Sequence, residues 1–167
     1  MVRTLLVLRH GKAQPDAPHG DKARTLTERG RRDLARMGRL LAPLDEEIDL
    51  VVSSDASRAR ETAQIAAAAA GYDEGIRIEP DIYNASVDNL LAVVRGLPDE
   101  AGCVLIVGHN PGFEDLSAVL AVEGTPPPTL PTAGLAYLRF DVGRWRDIRE
   151  GMGELVAVYT PKGLNRD

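Results

Sequence analysis

The sequence predicts an α/β fold built on an open sheet, and three observations carry that reading. The stretch Leu6-Val7-Leu8-Arg9-His10-Gly11 opens as a short apolar run of buried-strand composition and stops abruptly at a cation, an imidazole and a glycine. Val104-Leu105-Ile106-Val107-Gly108-His109-Asn110-Pro111-Gly112 repeats that grammar. Between the two lie segments with apolar residues at helical intervals, as an alternation of strands and helices requires. In an open α/β sheet the strand ends face a crevice, so the two imidazoles are expected to converge on one edge of one sheet.

Residues 3–9 form the first predicted strand. Residues 13–23 are dense in turn formers and predict a loop that can rim or cover the strand end. Its His19 has no periodic context and reads as a solvated loop residue. Thr25 and Glu28 have capping-box spacing, and Leu34, Met37, Leu41 and Leu44 follow at helical intervals, which predicts a helix ending near Pro43. Arg24 sits just before that helix, either reaching an anion at its N-terminus or standing as a surface charge.

Residues 48–53 predict a second strand, with Ser54, Asp55 and Ser57 as possible caps for a helix over about 58–70. The alanines at 66–70 allow close packing on the sheet. Arg58 falls in the first turn of this helix, where the macrodipole disfavours a cation by up to about 1 kcal/mol unless an anion compensates. That anion is either a ligand or a neighbour, Asp55 or Glu61. Arg60 reads as solvated. Residues 76–82 predict a short edge strand, Ser86 caps an amphipathic helix bearing Val87, Leu90, Leu91 and Val94, and 103–108 predict a further strand. Asn110 then suits an N-cap and Pro111 the first helical position, so His109 stands where free helix N–H groups favour an anionic ligand. Residues 124–131 are proline-rich and read as a stiff surface crossover. Residues 134–141 and 154–159, around a polar turn with Trp145, predict an antiparallel pair that finishes the sheet.

The chain of 167 residues has the size of one domain, and 44% hydrophobic with 27% charged residues is a globular balance. Only the last few residues read as loose. A formal charge of −5 argues against general affinity for nucleic acid or an anionic membrane, so phosphate recognition has to come from a few focused arginines. The lone Cys103 allows no internal disulfide, which predicts a cytoplasmic protein. No apolar run approaches the ~20 residues of a membrane span. Glycine-rich nucleotide motifs, the zincin helix and clustered Cys/His spacings are absent, so neither a cofactor nor a metal is expected.

Taken together, the motifs resemble those of the histidine phosphatase superfamily, and of its small, SixA-like phosphohistidine phosphatase subgroup. Arg9-His10-Gly11 matches the family's Arg-His-Gly signature, Ser53-Ser54 through Arg58-Ala59-Arg60-Glu61-Thr62 its Ser-Ser-x-x-x-Arg-Ala-x-x-Thr segment, and Val107 to Gly112 its second-histidine segment. Arg24 with Leu26-Thr27 resembles the arginine that small members place in the phosphate pocket. Pro131-Thr132-Ala133-Gly134 and Thr160-Pro161-Lys162-Gly163 are similar to the tail of the subgroup. The resemblance implies a phosphoglycerate mutase-like form of the α/β class: a single-domain, three-layer α/β/α sandwich with a mostly parallel sheet and an antiparallel strand near the C-terminus.

It also implies the chemistry, in which His10 forms a covalent phosphohistidine that water cleaves, with Arg9, Arg58 and His109 as its catalytic partners and Arg24 binding phosphate. His109, if protonated, adds a donor where charge develops. The acid that larger members use has no clear equivalent here; Glu79, Asp81 and Asp88 are weak candidates. Without it, readily departing groups are favoured, which points to a phosphohistidine-bearing protein, with a small phosphorylated metabolite or nucleotide as the alternative. Two other classes stay open. One is a two-histidine, one-carboxylate metal hydrolase using His10, His109 and Asp55, which the flanking arginines oppose; the other is a non-catalytic phosphate-binding module.

Overall fold

A computed structural model describes residues 1–44 and 46–164, so the expectation of a loose tail, where it falls on residues 165–167, lies outside the described residues. The strands are β1 (Arg3–Arg9), β2 (Leu50–Ser53), β3 (Ile76–Ile78), β4 (Cys103–Gly108), β5 (Leu135–Phe140) and β6 (Glu154–Tyr159). The helices are α1 (Glu28–Leu41), α2 (Ser57–Ala69), α3 (Val87–Arg95), α4 (Gly112–Leu120) and the short α5 (Pro161–Leu164). The strands form one sheet in the order β3-β2-β4-β1-β5-β6. β1, β2, β3 and β4 pair in parallel, and β5 runs antiparallel to both of its neighbours.

Successive side chains of a strand point to opposite faces, and both faces here are covered. Leu5 and Val7 of β1 join a core with α3, α4 and Trp145, whereas Leu6 and Leu8 join one with α1 and α2. Three layers result, as expected. The alanines of α2 serve mainly to bring α1 close: a Cβ on Gly38 of α1 would stand 2.4 Å from the Ala66 carbonyl oxygen and 2.7 Å from Ala69 Cβ.

Several local expectations need correction. Helix α1 is capped by Thr27, whose Oγ1 accepts the Gly30 N–H at 3.0 Å, and not by Thr25. Leu26 is buried and bridged to Ala13, which keeps the chain extended past Thr25. Strand β2 starts at Leu50 rather than at 48, and β3 stops at Ile78 because Pro80, which has no N–H for a ladder, opens a 3-10 turn over Pro80–Ile82. No side chain caps α2. Helix α4 begins at Gly112, with Asn110 Oδ1 accepting the Glu114 N–H at 3.3 Å. The proline-rich crossover is not merely superficial, since Leu130 is buried in the core of the α3/α4 face.

Register sets the site. Arg9 pairs with Gly108 and Ser53 with Val107. The next residues, His10, His109 and Ser54, therefore leave three adjacent parallel strands at the same end.

Candidate active site

His10 and His109 are each 9% exposed, with ring centroids 5.2 Å apart and planes inclined at 56°. His10 Nδ1 lies 2.8 Å from the Gly11 carbonyl. A carbonyl only accepts, so Nδ1 carries the proton of the neutral ring and Nε2 the lone pair. Burial is the main cause that lowers the His10 pKa to about 4; the Gly11 bond opposes it, and the charges of Arg58, Arg9 and Arg24 reinforce it. An imidazole held in this way is neutral with its Nε2 lone pair available, the form a nucleophile requires.

His109 Nε2 sits 2.8 Å from Ser54 Oγ, and the edge of Tyr83 stands against its ring at 5.4 Å between centroids. Burial, then the neighbouring His10 and Arg58, lower its pKa to about 3. These surroundings favour the neutral ring, so protonation of His109, the condition that the sequence left open, is disfavoured here. Ser54 Oγ already accepts the Ala56 N–H at 3.2 Å, so its own proton is free to be given to Nε2. When Ser54 donates in this way, a neutral His109 carries its proton on Nδ1, which is buried without a partner.

The arginines are anchored by the backbone and by one loop. Arg9 donates at 2.9 Å to the Leu130 carbonyl, which also accepts from Asn110 Nδ2 at 2.8 Å, while the Leu130 N–H is held by Glu114 at 2.7 Å. Arg58, 6% exposed, pairs with neither Asp55 nor Glu61, the neighbours considered from sequence. Asp55 is taken by Lys22 at 2.9 Å and Glu61 by Arg31 at 3.0 Å. Instead Arg58 reaches the loop after β1, donating to the Asp21 carbonyl at 2.8 Å and to its carboxylate at 3.0 Å. Arg24 joins the same carboxylate at 3.1 Å and donates to the Gln14 carbonyl at 2.7 Å. The Nε atoms of Arg9 and Arg58 are buried without partners. The other four predicted residues, Arg9, Arg24, Arg58 and His109, thus lie around His10. His19 is exposed and takes no part in these contacts.

The glycines fit the backbone to this geometry. A Cβ on Gly11 would meet Leu34 Cδ1 at 2.8 Å, and one on Gly108 would meet the Phe113 ring at 2.6 Å. Thr62 Oγ1 accepts the Gly11 N–H at 3.1 Å and donates to the Arg58 carbonyl at 2.6 Å, so α2 and the end of β1 are locked together beside His10.

None of the weakly proposed acids joins the cluster. Glu79 turns back on the Asp81 N–H, and both line a separate cleft of about 310 Å³ with Arg77 and Asn89; Asp88 sits exposed in the first turn of α3. A cleft of about 190 Å³ borders His109 and is lined by Ile82, Ala85, Leu90 and Pro111. Asp55, the carboxylate of the metal-hydrolase alternative, faces Lys22. Among the described residues no cluster of three or more His, Cys, Asp or Glu side chains could hold a metal ion. Asp21 and Tyr83 escaped the sequence reading, because a turn-rich loop gives no sign of where it folds back.

Paired histidines at the strand ends of a three-layer α/β sandwich, with arginine side chains beside them, make a site suited to binding an anionic group such as a phosphoryl. Residues 5–90 match the model of the histidine phosphatase superfamily (branch 1). The uncharacterized protein Rv1276c of Mycobacterium tuberculosis is 32% identical over 164 residues, covering 93% of this chain and all of that protein. The solved structure of the protein histidine phosphatase SixA complexed with tungstate is similar with a TM-score of 0.83 and 26% identity, over 96% of this chain and 99% of that one. A chain from Nakamurella multipartitia assigned to the SixA phosphohistidine phosphatases gives a TM-score of 0.82 and 29% identity, over 96% and 97%. The chain belongs to the histidine phosphatase superfamily, with a SixA-like structure, and is a phosphatase.

Proposed function

We propose that the chain removes a phosphoryl group from a phosphohistidine-bearing protein through a covalent intermediate on His10. The observation that carries this reading is the Nδ1 bond to the Gly11 carbonyl, which leaves Nε2 as the attacking atom. His10 Nε2 attacks phosphorus, a P–N bond to the enzyme forms, and the bond to the leaving group breaks with its electron pair going to the leaving nitrogen, which takes a proton from solvent. Water then attacks the enzyme-bound phosphoryl group, freeing orthophosphate and restoring the lone pair of His10. Arg9, Arg58 and Arg24 grip the equatorial oxygens with N–H donors not committed elsewhere, and His109 adds a neutral Nδ1–H donor where charge builds.

Two observations support the phosphohistidine substrate. The carboxylates Glu79, Asp81 and Asp88 stand away from the histidine pair, so the leaving group departs without one of these acids, which suits an imidazole better than an alkoxide. The second is the similarity to SixA, itself described as a protein histidine phosphatase. The test compares turnover of a histidine-phosphorylated protein with that of an unactivated alkyl phosphate. The reading predicts a preference for the phosphoprotein of about 10²-fold or more in kcat/KM, the least that a lost proton transfer costs. Equal rates on the two would contradict it.

A further inference from the structure

We propose that Asp21 is a positioning residue of this phosphatase: from the loop after β1, its carboxylate holds the guanidinium groups of Arg58 and Arg24 in the arrangement that grips a phosphoryl group. The inference rests on the phosphoryl-binding reading of those two arginines.

The geometry is that of a shared anchor. Arg58 uses one N–H of each terminal nitrogen on Asp21, one to the backbone carbonyl at 2.8 Å and one to Oδ2 at 3.0 Å. A guanidinium carries five N–H donors in a rigid plane, so this grip fixes the plane and leaves three donors, including the buried and unpartnered Nε–H. Oδ1 of the same carboxylate takes Arg24 at 3.1 Å, and Oδ2 also accepts the Tyr83 hydroxyl, whose ring edge packs on His109. One side chain thus ties together three groups, Arg58, Arg24 and Tyr83.

The anchoring is polar. None of residues Asp21–Ala23 is buried, so no apolar packing sets this part of the loop. Lys22 supplies the other contacts, to Asp55 at 2.9 Å and over the Tyr83 ring at 4.7 Å. Asp21 itself is no proton donor: the Tyr83 hydroxyl and the two arginines hold it ionised, well below the usual carboxylate range. Long arginine side chains carry large rotamer freedom, and fixing them before substrate arrives lowers the cost of reaching the transition state.

The opposite role for such a carboxylate is competition, in which Asp21 occupies Arg58 and must be displaced by the phosphoryl group. Binding of inorganic phosphate separates the two, and it needs no turnover. Positioning predicts that Asp21→Ala weakens phosphate binding and lowers kcat on an aryl phosphate by about tenfold or more, with Asp21→Asn intermediate and melting unchanged. It also predicts that Asp21→Ala costs clearly less once Arg58 is already Ala, the remainder being its hold on Arg24, because the carboxylate and Arg58 act together. Should Arg58→Ala fail to fold, Arg58→Lys serves as the background. Unchanged or tighter phosphate binding in Asp21→Ala, or losses that simply add, would overturn the proposal. If the wild-type chain binds phosphate yet turns over neither substrate, the phosphatase reading fails while the binding comparison still decides the role of Asp21.

Discussion

The Nδ1–H of His10 donates to the Gly11 carbonyl, and burial, reinforced by three nearby arginines, lowers the ring pKa to about 4. In the proposed mechanism the reactive form is the neutral one, so activity should be lost as pH falls through that value. The acid limb of kcat/KM should accordingly lie near 4, measured on an aryl phosphate whose own ionisation is accounted for; a limb near the ordinary histidine value of about 6.5 would mean that His10 is not held as described. Arg58 is the buried cation of the site. Truncation to Ala should lower kcat/KM by about 10²-fold or more, since it removes donors aimed at developing charge. A loss of less than about threefold would show that the clamp is elsewhere.

At the level of the elements, the apolar runs of β1 and β4 were legible because buried strands are almost continuous in Leu, Ile and Val, and the bounds of β4 agree with the reading to the residue. The ends of the helices were harder. Thr25 and Thr27 both have the chemistry of a cap, and only the tertiary bridge between Ala13 and Leu26 selects the second. The places of His10, His109, Arg9 and Arg58 could be read because each sits at a strand end or in the first turn of a helix. The partner of Arg58 could not, because Asp21 lies 37 residues away on a loop whose path no periodicity reports. Packing of α1 on α2 offers a sharp test of the element scale. Replacing a helical glycine by alanine ordinarily stabilises by about 1 kcal/mol, but at Gly38 the new Cβ would collide with backbone. Gly38→Ala should therefore lower the melting temperature, and a rise would show that the two helices have room to spare.

For the whole molecule, the two buried histidines make stability depend on pH in a defined window. Both folded pKa values, about 4 and about 3, lie below the ordinary value, so between roughly pH 6.5 and 4 the unfolded chain binds protons that the folded one refuses. Stability should fall as pH drops through that window, by an amount on the order of 3 kcal/mol for His10 alone. Denaturant titrations at pH 7 and pH 5 check this, and His10→Ala should reduce the difference while leaving the share of His109. A wild-type stability that is level between those values would contradict neutral, buried histidines. The same sheet that buries them supplies the activity: parallel strands in register deliver two imidazoles and a serine to one edge, and the net negative charge elsewhere leaves the arginine cluster as a local feature.

The most direct test of the central claim is a rapid-quench search for acid-labile, base-stable phosphate on the protein during turnover of an aryl phosphate, with the adduct mapped by mass spectrometry. The account predicts a phosphoryl group on His10 that forms and decays at rates sufficient for turnover, and neither adduct nor activity in His10→Ala. Turnover that persists in His10→Ala, or an adduct on another residue, would contradict it.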